Sequence, residues 1–64
     1  MRLGLGLCYA VLMADGSVVQ FRFVGQNDKG VVIAEQPPGS GNMIDLMSLF
    51  NRGYKAYWEI ECPN

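Results

Sequence analysis

Large apolar residues alternate with small or polar ones along most of this chain, and this period of two constrains the fold more than any other feature. The alternation runs through residues 3–14, 18–24 and 54–62. Successive side chains of a β-strand point to opposite faces, so each stretch predicts a strand with one apolar face. A short β-branched run over residues 31–35 predicts a further strand. The pattern therefore predicts a mainly β fold.

Turn residues separate the first three strands. Asp15-Gly16 is the dipeptide typical of a type I′ hairpin turn, in which both central residues have positive φ. The polar loop over residues 25–30 is bounded by glycines and has hairpin length. We therefore expect strands one to three to form an antiparallel meander.

The first stretch carries nearly all of its bulk on one face. Its other face includes Gly4 and Gly6, and glycine inside a strand often marks a bend, so we expect a strongly bent edge strand beginning at Leu3. A basic residue before an apolar run also outlines a secretory signal. However, cleavage after Ala14 would place Leu12 where a small residue is needed. We interpret the stretch as a strand and expect a cytoplasmic protein.

The segment after the third strand is harder to assign. Residues 36–42 contain paired prolines and two glycines and predict a flexible loop. Gly39-Ser40-Gly41 would cradle an anion only if a helix began at Asn42, and no lysine follows in the P-loop position. Residues 43–51 fit a helix, with Ser40 or Asn42 as its N-cap and Gly53 as its left-handed end. Their apolar residues also fit a strand, and both alternatives stay open.

Two stretches resemble the Sm-like family. Residues 11–35 share its order of apolar strand, Asp-Gly turn, alternating strand, polar loop and apolar strand. Asn51-Arg52-Gly53-Tyr54, continuing to Ile60, resembles its second motif, in which Arg-Gly precedes the closing strand. The resemblance implies a strongly bent five-stranded barrel that pairs edge to edge with copies of itself into a ring and binds RNA.

The chain departs from the family pattern in its first half. The glycine that bends the family's second strand aligns with Phe21, and the loop aspartate aligns with Asn27. The positions that stack on and bond to a base fall on Gly30 and Val31.

The closing strand adds cationic and aromatic side chains to the Arg-Gly turn. Lys55 and Tyr57 follow Arg52 closely, and cations interleaved with aromatic rings are typical of nucleic-acid surfaces. Tyr57 also fits a packing role across the strands. The candidate residues for binding RNA or another phosphorylated ligand are Arg52, Gly53, Asn27, Lys55 and Tyr57.

These patterns predict a single small β domain over residues 1–64. Its fold is mainly β, a small SH3-like or Sm-like antiparallel barrel or a strongly bent sheet. The alternative is an α+β fold with a three-stranded meander, one helix and a closing strand.

Composition narrows the chemistry. The chain has no histidine, which removes the usual general base and the commonest transition-metal ligand, so we expect no enzyme, catalytic residue, metal or cofactor. A net charge of −1 argues against binding nucleic acid by bulk charge neutralisation, although a local basic rim remains compatible with it. Cys8 and Cys62 lie on the two terminal strands, either as a disulfide or as small buried apolar residues.

We expect the chain to associate with copies of itself. A chain of 64 residues forms a small core, and the alternation places Tyr54, Ala56, Trp58 and Ile60 together on one face of the closing strand. The opposite face, with Lys55, Tyr57, Glu59 and Glu61, is predicted to be solvated. We expect a homo-oligomer, with RNA as a ligand or, alternatively, a protein partner of an interaction or inhibitor module, and no membrane association.

Overall fold

Five strands and one short helix make up the fold. The computed structural model describes residues 2–63, and its elements are β1 (Cys8–Met13), β2 (Val18–Gln26), β3 (Val32–Glu35), β4 (Met43–Asp45), α1 (Leu46–Asn51) and β5 (Tyr54–Ile60). The strands form one antiparallel sheet in the order β4-β3-β2-β1-β5. The mainly β prediction is confirmed. Within the described residues the sheet is not closed into a barrel, and β4 and β5 are its open edges.

Residues 43–51 contain both structures that the sequence left open, the short strand β4 and then α1. The N-cap is Asp45 rather than Ser40 or Asn42. Its Oδ1 accepts hydrogen bonds from two backbone N–H groups of the first turn, at 3.0 and 3.3 Å. Gly53, with φ of 98°, follows the helix as predicted. Among the described residues, no helix has the length and apolar character needed to cross a membrane.

β1 is shorter and more central than predicted. It begins at Cys8 rather than Leu3, because residues 4–7 form a turn. Gly6 there has φ of 77°, and the Leu7 N–H donates to the Gly4 carbonyl at 3.2 Å. β1 lies between β2 and β5 and so is not an edge strand. Neighbours on both sides explain why five of its six residues are buried.

The turn between β1 and β2 comprises residues 14–17. The Gly16 N–H donates to the Met13 carbonyl at 3.0 Å, and the Met13 N–H donates to the Ser17 carbonyl at 2.8 Å. The predicted type I′ turn is wrong, because Gly16 has positive φ (91°) and Asp15 does not. The Asp15 carboxylate instead accepts hydrogen bonds from the Ser17 N–H at 2.9 Å and its hydroxyl at 2.7 Å. This Asx turn, in which the Asp15 side chain binds the backbone two residues later, does not require positive φ at Asp15.

The bend in β2 lies after the position that the family resemblance suggested. Phe21 is completely buried and regular in its pairing, whereas the register with β3 shifts between Phe23 and Gly25. Gly25 is buried and has φ of 111°. A bulge of this kind increases twist, so Gly25 supplies the bend and leaves Phe21 free to fill the core.

One core joins the sheet to the helix. The Phe21 ring stacks on Tyr9 at 5.6 Å between centroids and meets Phe50 of α1 edge-on at 6.1 Å. Partly buried Ile44 of β4 and Tyr57 of β5 pack against the same cluster, so both edges of the sheet curve toward α1. The buried members of the core are Tyr9, Val11, Met13, Phe21, Ala34, Leu46, Leu49 and Phe50.

A disulfide joins the centre of the sheet to the end of its edge strand. Cys8, the first residue of β1, is bonded to Cys62, two residues beyond β5, with their Cα atoms 5.1 Å apart. Of the two states that the sequence left open, the structure has the bonded one. The bond spans a sequence separation of 54 residues, so it links nearly the whole chain into one loop.

Loss of the disulfide is expected to lower the free energy of unfolding by about 4 kcal/mol, because a cross-link over so long a loop restricts the unfolded chain. Urea denaturation of the wild type with and without reductant measures the loss. The Cys8→Ala/Cys62→Ala variant is the control, since its transition should not respond to reductant. Equal stability of the oxidised and reduced wild type would contradict the prediction.

Candidate functional site

Three of the predicted site residues lie together where α1 leads into β5. Arg52 is exposed at the end of the helix, and Lys55 is exposed three residues later. Between them, the Gly53 carbonyl accepts a hydrogen bond from the Ala14 N–H at 2.9 Å. A Cβ on Gly53 would lie 3.3 Å from that of Ala14, and φ there is 98°, so the close approach of the two segments requires glycine. Packing against Ala14 therefore fixes the Arg52-Gly53 turn, and the exposed cations Arg52 and Lys55 lie on either side of Gly53.

Lys55 is the extra residue of a bulge in β5. Ala56 and Tyr54 pair with consecutive residues of β1, which leaves Lys55 unpaired in the register. The bulge turns Tyr54 toward the core, where its ring lies 4.7 Å from that of Phe50. The prediction that Tyr54 shares a face with Trp58 is therefore wrong, because the alternation is interrupted at Lys55.

Tyr57 packs against the core rather than standing free. It is half-buried, and its ring contacts those of Phe50 at 6.0 Å, Tyr54 at 6.2 Å and Tyr9 at 6.4 Å. Edge-on aromatic contacts of this kind stabilise the core beyond the area they bury. Its predicted place on a solvated face is wrong, and cross-strand packing is the role that its position supports.

Asn27 lies apart from the other candidates. Its Oδ1 accepts hydrogen bonds from the N–H groups of Lys29 at 2.9 Å and Val31 at 3.0 Å, so its carbonyl oxygen holds the β2–β3 turn. That turn follows the end of β2, whereas Arg52 lies close to Asp15, before the start of β2. The nine residues of β2 separate the two, and the predicted set of five does not form one site.

An acidic side chain stands beside the Arg-Gly turn. Hydrogen bonds from the Ser17 hydroxyl and then its backbone N–H hold the pKa of Asp15 below 3.8, with a smaller contribution from the charge of Arg52. Asp15 is therefore ionised at neutral pH. A phosphate that approaches Arg52 meets this fixed negative charge nearby.

The Gly-Ser-Gly loop does cradle an anion, and the anion is a carboxylate of the chain itself. Glu35 Oε1 accepts a hydrogen bond from the Gly39 N–H at 2.8 Å, and Oε2 accepts one from the Gly41 N–H at 2.9 Å. Arg22 Nε also donates to Oε1, at 3.0 Å. Glu35 is only 6% exposed. The carboxylate fixes the loop between β3 and β4 to the sheet.

These contacts favour the ionised form of Glu35. The Gly39 N–H contributes most, followed by Arg22 and the Gly41 N–H, and together they lower the pKa of Glu35 below 4.5. The sequence favours a flexible loop and allows an anion only at the start of a helix at Asn42, whereas the helix begins at Leu46 and the loop binds the carboxylate without it. The available signal was a carboxylate placed directly before a loop containing Gly-Ser-Gly, within reach of its backbone.

The outer face of the sheet, opposite the core, carries exposed apolar side chains near β5. Trp58 is 45% exposed and Val18 is 56% exposed, whereas Ala10 between their strands is buried. Isolated exposed apolar residues are common, but residues aligned in adjacent rows form a surface. From β2 through β1 to β5, the rows are Val18–Leu12–Ala56, Gln20–Ala10–Trp58 and Arg22–Cys8–Ile60.

Two shallow grooves lie elsewhere on the surface. One, of about 330 Å³, brings Asp45 and Arg52 to its rim, but the Asp45 carboxylate is already engaged as the cap of α1. The other, of about 390 Å³, is lined by Arg2, Leu3, Phe23, Val32 and Met47. The first groove also has the polar side chains of Gln36 and Ser48 in its lining, whereas the second is mostly apolar apart from Arg2.

The described part of the chain does not gather three His, Cys, Asp or Glu side chains into a set able to hold a metal ion. No protein-family model, curated protein or solved structure matches this chain. Its surfaces and charges are therefore the basis for inferring what it does.

Glu35→Gln is expected to destabilise the fold at neutral pH, because a neutral amide cannot replace a carboxylate that accepts three hydrogen bonds. The folded pKa lies below the ordinary value of 4.5, so this stabilisation is complete above pH 4.5 and is lost as the pH falls through the folded pKa. Thermal denaturation at a series of pH values from neutral to below pH 4.5 should show that the melting temperature of the wild type falls more steeply with pH than that of E35Q.

Asp15→Asn is the matched control, since it removes another carboxylate of lowered pKa and leaves the Glu35 cradle intact. This variant should retain the part of the pH dependence that E35Q lacks. Parallel curves for the wild type and E35Q would show that the cradle does not stabilise the fold.

Proposed function

We propose that this chain is a non-enzymatic β domain that assembles with copies of itself through the edge of its sheet. The observation that carries the proposal is β5, a seven-residue strand that pairs with β1 on one side and forms the sheet edge on the other. An open edge presents unpaired N–H and C=O groups to any second strand. The resemblance to the Sm-like family, whose members pair edge to edge, agrees with this proposal.

The apolar outer face supports the same proposal. Trp58 lies on the edge strand itself, and tryptophan is among the residues that most often dominate binding energy at interfaces. Burying its exposed part against a second molecule is favourable, whereas leaving it in water is not. A protein partner of different sequence would use the same edge, and this is the alternative interaction-module function.

RNA or another phosphorylated ligand is the second candidate function. The observation that favours it is the pair of exposed cations, Arg52 and Lys55, close together where α1 leads into β5. The geometry gives it less support than self-association. Asp15 lies beside the turn, the half-buried Tyr57 packs against the core, and Asn27 lies at the other end of β2.

The redox state of Cys8 and Cys62 bears on the cytoplasmic location that the sequence leads us to expect. Cytosolic reductants keep most cysteines as thiols, whereas disulfides form and persist in oxidising compartments. A cytoplasmic chain would therefore carry Cys8 and Cys62 in the reduced form. Cysteine alkylation and mass analysis of the protein from its native source would separate the two locations.

Trp58→Ala is expected to weaken self-association by roughly thirtyfold or more, because a central interface tryptophan typically contributes at least about 2 kcal/mol. Sedimentation equilibrium over a range of concentrations measures the dissociation constant. Met43→Ala is the matched control, since Met43 is 50% exposed on the opposite edge strand. A strictly monomeric wild type would refute the proposed self-association, and a larger effect of M43A would assign it to β4.

Arg52→Ala is expected to lower the affinity for single-stranded RNA and to reduce the slope of log affinity against log salt by about 1, as loss of one phosphate contact does. Fluorescence anisotropy with a labelled oligonucleotide at several salt concentrations measures both quantities. Lys29→Ala removes the same charge from the distant β2–β3 turn and should have little effect. Equal effects of the two variants would indicate non-specific attraction rather than a site at Arg52.

A further inference from the structure

We infer that the partner is a second copy of this chain, and that the two copies pair their β5 strands antiparallel about a two-fold axis. This inference rests on the proposed self-association and gives it a geometry. The two sheets then continue into one another across the shared edge. A two-fold contact uses the same surface on both copies, so a single strand must be complementary to itself.

Strand length favours β5 over β4 as the partner of β5. β4 has three residues and β5 has seven. A pair of strands cannot be longer than its shorter member, so pairing β4 with β5 joins at most three residues of each copy. Pairing β5 with β5 joins the regularly alternating residues 55–59 of each copy, so more backbone groups of the open edges are satisfied.

Charge selects the antiparallel direction. Cations lie at the start of the segment, at Arg52 and Lys55, and carboxylates lie at its end, at Glu59 and Glu61. Antiparallel pairing brings the start of one strand against the end of the other, whereas parallel pairing aligns like charges. In the register that places Tyr57 opposite its own copy, the regularly alternating residues 55–59 pair, Lys55 of each copy faces Glu59 of the other, and the two-fold axis produces this pair twice.

The exposed side chains fit this register. Trp58 of one copy faces Ala56 of the other, so a large ring lies opposite a small residue on the outer face. Lys55 is exposed at its bulge, and its long flexible stem can follow the position of the carboxylate. The apolar rows of the two copies then form one continuous strip.

A standard interface takes about 800 Å² per partner, and the whole chain exposes 4092 Å². One strand edge supplies only part of such an area, so we expect micromolar affinity.

Charge reversal tests the pairing. Lys55→Glu and Glu59→Lys should each weaken self-association roughly tenfold or more, because each variant sets like charges opposite one another in both symmetric pairs. An equimolar mixture of K55E and E59K should recover association as a mixed dimer. In the mixed dimer, the Glu introduced by K55E faces the Lys introduced by E59K. The native Glu59 of the first copy faces the native Lys55 of the second, so both pairs are attractive. Sedimentation equilibrium and native mass spectrometry measure the dissociation constants and the composition of the dimer.

Matched controls lie in the β2–β3 turn. Lys29→Glu and Asp28→Lys make the same changes in net charge away from β5, and both should associate as the wild type does. Recovery in the mixture together with wild-type behaviour of the controls supports the inference. If the wild type associates and the β5 variants behave like the controls, self-association stands and the β5 pairing is overturned. A wild type that stays monomeric overturns both.

A measurement on the wild type alone keeps the inference testable if a variant does not fold. Amide hydrogen exchange at concentrations above and below the dissociation constant should show added protection of β5 in the associated form. The amides of β4 should exchange at the same rate at both concentrations. Added protection of β4 in place of β5 would overturn the proposed pairing.

Discussion

The contact of Phe21 with Tyr9 and Phe50 is the interaction on which the rest of this structure depends. It joins two central strands to the helix, and Phe21 is completely buried by it. A chain of 64 residues has few such contacts, so most other elements are positioned relative to this one. The bulge at Gly25 bends β2 beyond Phe21, and α1 places Phe50 over the concave face while connecting the two edge strands. The surfaces that we propose to bind a partner lie on the outer face and at the edges of the sheet, which this core does not cover.

The features that depend on residues close in sequence, such as the core face of β2 and the glycine after α1, follow from local sequence patterns. Val19, Phe21 and Phe23 alternate, and they pack on the core side of β2 as expected. The position of Gly53 after the helix was also predicted, because a left-handed C-terminal residue is a local requirement. The missed features depend on contacts that are distant in sequence or on small changes of backbone. Gly6 ends the alternation before β1, and Lys55 interrupts it within β5, and neither change is visible in a pattern of apolar residues.

The structure brings only some of the candidate site residues together, for the same reason. Arg52, Gly53 and Lys55 are adjacent in sequence, and they remain together in the structure. Family resemblance suggests Asn27 and residue type suggests Tyr57, whereas in the structure Asn27 holds the β2–β3 turn and Tyr57 packs against the core. The cradle at residues 39–41 shows the same limit, since its geometry follows from glycine but its occupant depends on the pairing of Glu35 with Arg22 across two strands.

The Cys8–Cys62 bond has a consequence for recognition as well as for stability. The end of an edge strand normally frays, and a partner that binds it must first order it, which reduces the affinity. Here the end of β5 is fastened to the buried first residue of β1. For the strand addition that we propose, the disulfide would therefore reduce the ordering that β5 requires before it pairs. Oxidation of two cysteines thus links the redox state of the surroundings to the entropic cost of adding a strand.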